Sequence, residues 1–312
     1  MRAFLFPGQG SQFVGMGLDA YHEQEAVRDI FNRANDVLGY HLTEIMFDGS
    51  EDDLRATENA QPALFLHAYA LYQTIENPRP AMAAGHSLGE YTALAVAKAL
   101  RFDDALELVR LRAEAMAAAG AAEPGTMGAI IGLDDDVVRE ICQTISQNDH
   151  LVVPANFNSD GQVVVSGTPW GVASAIEAAK EAGARMATEL NVSGAFHSPL
   201  MRPAEEKLAQ ALSEAPIEEA EFPVYMNVSA SSVTDAGTLR EGLLKQLTAP
   251  VLWAETIRKM IADGATEFIE VGPGNVLQKL AKRISREVPA SGLGKIEQIQ
   301  TFNNSEGAEK NE

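Results

Sequence analysis

The chain has 312 residues, which is enough for one large domain or two unequal ones. Its 46% hydrophobic and 22% charged residues are typical of a folded globular protein and exclude disorder over most of the chain. Acidic residues outnumber basic ones 44 to 24, which gives a net charge of -20. Because such a field repels phosphate backbones and anionic membrane surfaces, a general nucleic-acid-binding role is excluded.

Cysteine chemistry is limited by the presence of one cysteine, Cys142. A single thiol forms no intramolecular disulfide and no Cys-based zinc site, so we expect no metal centre. The apolar run at residues 3–6 is too short for a signal peptide, and no run approaches the roughly 20 apolar residues of a membrane span. We therefore expect a cytoplasmic protein.

The first third of the chain alternates short apolar runs with helical patterns. In chain order it predicts a strand at 3–6, a glycine-rich loop at 8–12, helices at 18–39 and 62–75, and a buried strand at 81–84. Residues 85–89 then turn directly into a helix at 90–100. The sequence therefore predicts a strand, a sharp turn and a helix in immediate succession.

A different rhythm between residues 125 and 191 predicts a small inserted domain. Its elements are a strand at 126–132, a helix ending near 147, strands at 151–157 and 162–166, a helix at 169–183 and a strand at 184–191. This β-α-β-β-α-β order is typical of a ferredoxin-like unit. We predict that it interrupts a larger α/β domain formed by 1–124 and 192–303, followed by a disordered tail at 304–312.

The large domain resumes after the insertion with further alternation. Predicted here are a strand at 222–228, a helix at 251–263, a strand at 267–271 and a helix at 276–286. Gly272-Pro273-Gly274 joins the last strand to the last helix, and because no GK[ST] follows, it is a connector rather than a phosphate-binding loop.

A candidate nucleophile, Ser87, lies in Gly85-His86-Ser87-Leu88-Gly89, which fits the G-x-S-x-G pattern of a nucleophile elbow. A serine on a tight strand-to-helix turn forces close backbone approach, which small neighbours tolerate. The turn also places the hydroxyl at a helix N-terminus, where free N–H groups favour developing negative charge. The predicted strand before the motif and helix after it match the context that the pattern requires.

The sequence offers six histidines as the base that a serine nucleophile needs: His22, His41, His67, His86, His150 and His197. His86 precedes the serine, so its side chain should point away from the hydroxyl while still lining the site. His67 has the surroundings of a packed helix residue. His197 lies in a loop flanked by glycine and proline, with no helical or strand period to explain it, and such loops often carry function.

The glycine-rich loop after the first strand, Gly8-Gln9-Gly10, is not a dinucleotide fingerprint. G-x-G-x-x-G requires glycine where this chain has Phe13. A loop in this position is instead suited to lending a backbone N–H to an oxyanion.

Together these motifs resemble the malonyl-CoA:acyl-carrier-protein transacylase family of bacterial fatty-acid synthesis. The matching segments occur in the family's order and span nearly the whole chain: FPGQGSQ at 6–12, QPA at 61–63, GHSLGEY at 85–91, GAFHSPLM at 194–201, NV at 227–228, PVLW at 250–253 and EVGPG at 270–274. The resemblance implies an α/β fold, with an α/β-hydrolase-like large domain that carries an inserted ferredoxin-like small domain.

The resemblance also implies the roles of individual residues. Ser87 would be the nucleophile and His197 its base, with the base oriented by a backbone carbonyl near Gln246 instead of an acidic side chain. The backbone N–H groups of Gln9 and Leu88 would form the oxyanion hole. His86, Phe196 and Asn227 would support the site.

An arginine four residues before a methionine binds the malonyl carboxylate in this family, which selects Arg112 over Arg110. Ala117 stands where the family often has glutamine. Phe196 resembles the version of the motif associated with malonyl over methylmalonyl, because a bulky ring crowds a branched α-carbon.

The implied activity is transfer of malonyl from malonyl-CoA to the phosphopantetheine thiol of holo acyl carrier protein, by a monomer without a cofactor. Loading of polyketide carrier domains, a serine thioesterase, and a catalytically inactive carrier-binding module are the alternatives. Because carrier proteins are acidic and this chain carries -20, docking requires a local basic patch. The candidates lie on one predicted helix: Lys279, Lys282, Arg283 and Arg286.

Overall fold

The computed structural model describes residues 1–147 and 150–308, which form two packed units. The large unit is built on a six-stranded sheet in the order β10-β9-β1-β2-β7-β8. Its strands are β1 (Arg2–Phe6), β2 (Met82–Gly85), β7 (Val224–Tyr225), β8 (Ser232–Val233), β9 (Glu267–Val271) and β10 (Ala290–Leu293). Neighbouring strands from β10 to β7 are parallel, and β8 alone is antiparallel to its neighbour.

Helices cover both faces of this sheet, which explains why β2 is a continuous buried run without alternation. They are α1 (Leu18–Glu23), α2 (Glu25–Leu38), α3 (Leu42–Asp48), α4 (Glu51–Arg55), α5 (Thr57–Tyr72), α6 (Gly89–Val96), α7 (Phe102–Ala122), α10 (Arg202–Glu214), α11 (Ala236–Gln246), α12 (Trp253–Ala262), α13 (Val276–Ile284) and α14 (Ile296–Ala308). The helix predicted at 18–39 divides at Gln24, whose backbone is extended. The α/β class of the fold is confirmed.

The small unit has the predicted ferredoxin-like order. Its elements are β3 (Thr126–Ile131), α8 (Asp135–Ser146), β4 (Val152–Ser159), β5 (Gln162–Gly167), α9 (Pro169–Glu181) and β6 (Met186–Glu189). The sheet order is β4-β5-β3-β6, and every pair is antiparallel. Asp160 and Gly161 form the two-residue turn between β4 and β5, with Gly161 at φ 64°.

The two units are joined along β4. Backbone hydrogen bonds run from the Phe157 N–H to the Val251 carbonyl (2.9 Å) and from the Val251 N–H to the Ala155 carbonyl (2.8 Å). The turn after β4 adds an ion pair between Asp160 and Arg258 of α12. One edge of the small sheet is therefore anchored to the large unit, and a cleft remains between them.

The C-terminal end differs from the prediction of a disordered tail at 304–312. Helix α14 runs through residues 304–308, and the Glu306 carboxylate lies 2.6 Å from the Arg2 guanidinium. This ion pair joins the end of α14 to the first strand, whereas residues 309–312 of the predicted tail lie outside the described part of the chain. Within the described residues, no helix is long and apolar enough to cross a membrane.

Candidate active site

The serine motif forms a sharp turn between β2 and α6, with Ser87 at φ 51°. A Cβ on Gly85 would lie 1.8 Å from the Gly89 carbonyl carbon, and a Cβ on Gly89 would lie 2.1 Å from the Phe6 carbonyl oxygen. Both glycines are therefore required by backbone contact. A left-handed backbone at a non-glycine residue is strained, and such strain is common where a side chain must be presented for chemistry.

The His197 side chain contacts the serine, with its Nε2 2.8 Å from the Ser87 Oγ. Its Nδ1 lies 2.9 Å from the Gln246 carbonyl oxygen, which can only accept a hydrogen bond. The proton is therefore assigned to Nδ1, and Nε2 is left as the acceptor for the serine hydroxyl. Like Ser87, His197 has a left-handed backbone, with φ 58°.

Burial keeps this histidine neutral. Burial, together with the positive charge of Arg112, lowers the pKa of His197 to about 3, against a smaller opposite effect of the Gln246 carbonyl. A neutral imidazole with its free nitrogen on a hydroxyl has the arrangement that a general base requires. Here a carbonyl takes the position that a carboxylate occupies in a Ser-His-Asp triad.

Asn227 fixes the backbone of the elbow from behind. Its Oδ1 accepts a hydrogen bond from the Ser87 N–H (2.7 Å), and its Nδ2 donates to the Gly85 carbonyl (2.6 Å). The Ser87 N–H is thereby occupied. Gln9 and Leu88 line the cavity beside the serine, and the backbone N–H of neither residue donates a hydrogen bond to another described residue. Two free donors at this point suit a developing oxyanion.

Arg112 of α7 reaches the same hydroxyl from the other side. Its Nη2 lies 3.0 Å from the Ser87 Oγ and 2.8 Å from the Gln246 Oε1, and its Nη1 donates to the Gln61 Oε1 at 2.5 Å. The side chain is 1% exposed, and among the described residues no carboxylate forms an ion pair with it. A buried guanidinium that contacts only neutral oxygens is strongly stabilised when an anion binds beside it.

Gln246 lies beside His197, as the family resemblance implied, and it connects Ser87, His197 and Arg112. Besides holding His197 and Arg112, it donates from Nε2 to the Ser87 carbonyl at 2.9 Å. One buried residue at the end of α11 therefore contacts Ser87, His197 and Arg112.

The site opens into a cavity of about 530 Å³ between the two units. The large unit contributes the reactive groups and Phe196, whereas the small unit contributes a wall that includes Met127, Asn158, Val164 and Leu190. Val276 and Leu280 of α13 line the same cavity. A cavity of this size and mixed lining suits an acyl group with an extended arm.

His86 points away from the hydroxyl, as predicted. Its Nε2 lies 2.9 Å from the Asn158 Oδ1, and its ring centroid lies 5.3 Å from that of Trp253. Burial lowers its pKa. His86 thus ties the elbow to the small unit. His67 is buried, and neither of its ring nitrogens has a partner among the described residues, which fits a packed core histidine.

Three residues of this network were not singled out from the sequence: Gln61, Glu90 and Asn158. Gln61 and Glu90 lie within the motifs that carry the family resemblance, so the motifs signalled them without giving them roles. Asn158 lies between the strands predicted at 151–157 and 162–166, where turn chemistry alone explains an asparagine. Arg110, the rejected candidate, pairs with Glu114 on the outer side of α7.

Comparison with known proteins agrees with this architecture. Malonyl CoA-acyl carrier protein transacylase of Bacillus subtilis (strain 168) is 44% identical over 300 residues, covering 96% of this chain and 95% of that protein. The solved malonyl CoA-acyl carrier protein transacylase of Coxiella burnetii superposes with a TM-score of 0.93 at 39% identity, covering 97% and 96% of the two chains. A malonyl-transacylase solved in complex with its type II PKS acyl-carrier protein gives 0.93 at 38% identity, covering 97% and 99%. The acyl transferase domain family matches residues 3–304, and the chain belongs to that family.

Proposed function

We propose that this enzyme transfers a malonyl group from malonyl-CoA to the phosphopantetheine thiol of an acyl carrier protein, through a malonyl ester of Ser87. The observation that carries the proposal is the buried Arg112 guanidinium, 3.0 Å from the Ser87 hydroxyl and without an anionic partner among the described residues. A carboxylate carried by the acyl group fits this position. The names of the B. subtilis and C. burnetii relatives support the same substrate.

The first half-reaction follows from the geometry of the serine and histidine. The Ser87 Oγ attacks the thioester carbonyl while its proton passes to the His197 Nε2, 2.8 Å away. The oxyanion that forms is stabilised by the N–H groups of Gln9 and Leu88, and loss of one such donor typically costs about 2.7 to 4 kcal/mol. The carbon–sulfur bond then breaks, and His197 returns the proton to the CoA thiol.

The second half-reaction reverses these steps. The carrier thiol enters the cavity, gives its proton to His197 and attacks the serine ester. The ester bond breaks, and the proton returns to the Ser87 Oγ. No cofactor is needed, because the base, the N–H donors and the guanidinium supply every role. A single chain contains the whole site, which supports a monomer working in the cytoplasm, where CoA thioesters and carrier proteins meet.

Arg112 gives the site its preference for malonyl over acetyl. A carboxylate accepts two hydrogen bonds from a guanidinium fork, whereas an acetyl group leaves the buried charge unpaired. The carboxylate has a second effect. Since the Arg112 charge lowers the pKa of His197, an anion that neutralises this charge makes the histidine a stronger base. Malonyl therefore improves both binding and proton transfer.

Helix α13 is the docking surface that we propose for the carrier protein. Lys279, Lys282, Arg283 and Arg286 are exposed on or just after this helix, while Val276 at its start lines the cavity. A local basic surface attracts an acidic partner despite the net charge of -20. The carriers of polyketide assembly are the second candidate partner, because the structural relative solved with a type II PKS carrier matches over 97% of this chain.

Intact-protein mass spectrometry after brief mixing with malonyl-CoA tests this function. We expect one malonyl adduct, absent in Ser87→Ala and discharged by holo carrier protein, with a much smaller acetyl adduct from acetyl-CoA. Parallel discharge by fatty-acid and polyketide carriers identifies the partner. Rapid discharge to water without a carrier would instead establish a thioesterase, and no adduct with either thioester would overturn the proposal.

A further inference from the structure

Glu90 is a fully buried carboxyl group behind the nucleophile, with no part in the steps above. It lies on the first turn of α6, and its Oε2 accepts a hydrogen bond from the Asn227 N–H at 2.6 Å. The side chain of Asn227 in turn holds the Ser87 N–H and the Gly85 carbonyl. A chain of short hydrogen bonds therefore connects the Glu90 carboxyl to the backbone that presents Ser87.

The other oxygen of this carboxyl, Oε1, is buried and has no donor in full hydrogen-bond geometry among the described residues, although the Gln246 amide is close enough to act on the carboxyl. The charged and titratable groups that face Glu90 are Arg112 of α7 and Tyr91 of its own helix, and the Gln246 amide also lies nearby. Burial raises the pKa of Glu90 to about 8, against the smaller effects of the Asn227 N–H, Gln246 and the Arg112 charge, all of which lower it. Burial therefore keeps the neutral form of Glu90 to a higher pH than in an exposed glutamate.

The Arg112 charge acts both on Glu90 and on the proposed substrate. It favours the ionised form of Glu90, and it is also the partner that we propose for the malonyl carboxylate. When that carboxylate neutralises Arg112, the positive field that favours ionised Glu90 is cancelled. A second anion in the same buried network then disfavours the Glu90 charge further.

We propose that Glu90 is a positioning residue that takes up a proton when the malonyl group pairs with Arg112, so that formation of malonyl-Ser87 is coupled to protonation behind the elbow. The inference rests on the proposed function, because it needs an acyl group that carries a carboxylate. Acylation itself moves the serine proton to the CoA thiol and needs none from solvent. Uptake by Glu90 is therefore an additional proton, bound as the carboxylate arrives.

Proton uptake during a single turnover with malonyl-CoA at pH 8 tests the inference, measured with a pH indicator in weak buffer and with adduct formation followed by mass on the same samples. The matched variant is Glu90→Gln, which keeps an oxygen for the Asn227 N–H and has no titratable group. The wild type should bind a fraction of a proton more per malonyl adduct than the variant, because loss of the Arg112 field shifts the Glu90 carboxyl toward its neutral form. The ionisation of released CoA is common to both proteins and cancels in this difference.

Acetyl-CoA provides the second control, because an acetyl adduct brings no carboxylate to Arg112. Excess uptake with malonyl and none with acetyl supports the inference, whereas equal uptake per malonyl adduct in the wild type and Glu90→Gln overturns it. Absence of a malonyl adduct on Ser87 counts against the proposed function instead, so the two failures are distinguishable.

Two further measurements separate this role from a purely structural one. The KM for malonyl-CoA should rise with pH in the wild type, by at most about tenfold per pH unit, because ionised Glu90 competes with the substrate carboxylate for the Arg112 charge. It should stay flat in Glu90→Gln. If that variant does not fold, difference infrared spectroscopy of the wild type with ¹³C-labelled glutamate gives the answer. Malonylation at pH 8 should strengthen the band of a protonated carboxyl, and an unchanged band would contradict the inference.

Discussion

The two units differ in how they treat polar groups and backbone strain. Among the described residues, the buried acidic and basic side chains other than histidine all belong to the large unit: Glu90, Arg112 and Glu270. The reactive pair there, Ser87 and His197, sits on left-handed backbone. The small unit buries neutral polar groups around an ordinary apolar core and contributes a cavity wall. The proposed reactive groups therefore lie within one unit, whereas the other unit forms a wall of the cavity that leads to them.

We expect the largest difference in stability between the two units when one glycine in each is replaced by alanine. In Gly85→Ala the new Cβ would lie 1.8 Å from backbone of Gly89, and no side-chain movement relieves that contact. In Gly128→Ala the new Cβ would meet side-chain atoms of Val172 and Ile176 at 3.1 Å, which can shift. We expect more than about 4 kcal/mol of lost stability, or no soluble protein, for the first and about 1 kcal/mol for the second.

Chemical denaturation of the two variants measures this difference. Equal losses of stability would show that the elbow is no more constrained than the small sheet.

The next largest effect should follow removal of the buried guanidinium. Arg112→Ala should remove about 2 to 5 kcal/mol of transition-state stabilisation, measured from kcat/KM for malonyl-CoA. It should also relax discrimination against acetyl-CoA, since the guanidinium that binds the carboxylate is lost. Arg110→Ala is the control, because that arginine forms a helical surface pair with Glu114 worth at most about 0.5 kcal/mol. Transfer rates with both thioesters decide the matter, and unchanged selectivity in Arg112→Ala would refute the assignment.

Acid should destabilise the large unit through its buried neutral histidines. Burial lowers the pKa of His67 to about 4 and that of His197 to about 3, from ordinary values near 6.5. Their unfolded forms take up protons first, so stability is fully present above pH 6.5 and falls as pH drops toward 4, by about 1.4 kcal/mol per pH unit for each histidine. His67→Leu should reduce the pH dependence of the free energy of unfolding by about 1.4 kcal/mol per pH unit, which is the contribution of one histidine.

The same shift makes a kinetic prediction for the base. Because His197 stays neutral, the acylation rate constant should show no decline between pH 7 and 5.5, where a histidine with an ordinary pKa would lose its basicity. Rapid-quench measurement of the malonyl adduct tests this, with Ser87→Ala as the blank. A midpoint near pH 6.5 would show that the base is solvated during the reaction.

The smallest effects should come from the contacts between the units. Asn158→Ala leaves the His86 Nε2 without its partner in a buried position, which should cost about 1 kcal/mol of stability and raise KM slightly. Gln162→Ala removes an exposed hydrogen bond to Arg283 from the same hairpin and should cost less than about 0.5 kcal/mol. Thermal unfolding compares the two, and the reverse order would mean that the outer contact governs the joint.

The sequence was informative where structure depends on local pattern. The order of elements from Thr126 to Glu189 followed from strand and helix periodicity and one Asp-Gly turn. The elbow followed from glycines whose spacing has a steric cause. The resemblance placed Ser87 and His197 together, and their side chains do meet at 2.8 Å.

What the sequence did not supply are partnerships between distant side chains. Gln246 contacts the Ser87 carbonyl across 159 positions, and Glu90 bonds to Asn227 across 137. Sequence periodicity cannot predict such contacts. Glu90 and Gln246 are polar residues on helices, and each is compatible with a solvent-exposed face until the position of the opposing element is known. The last helix was missed for the same reason, since its ion pair is with Arg2 at the other end of the chain.

The position of β1 in the sheet has a consequence for how the protein is made. Ala3 pairs with Met82 on one side and with Phe268 on the other, whereas the strand partners of the small sheet all lie between Thr126 and Glu189. Since a ribosome releases the N-terminus first, the small sheet can finish pairing while β1 still lacks one neighbour. A chain cut before Phe268 would expose the edge of that strand, so truncated products should aggregate instead of retaining partial activity.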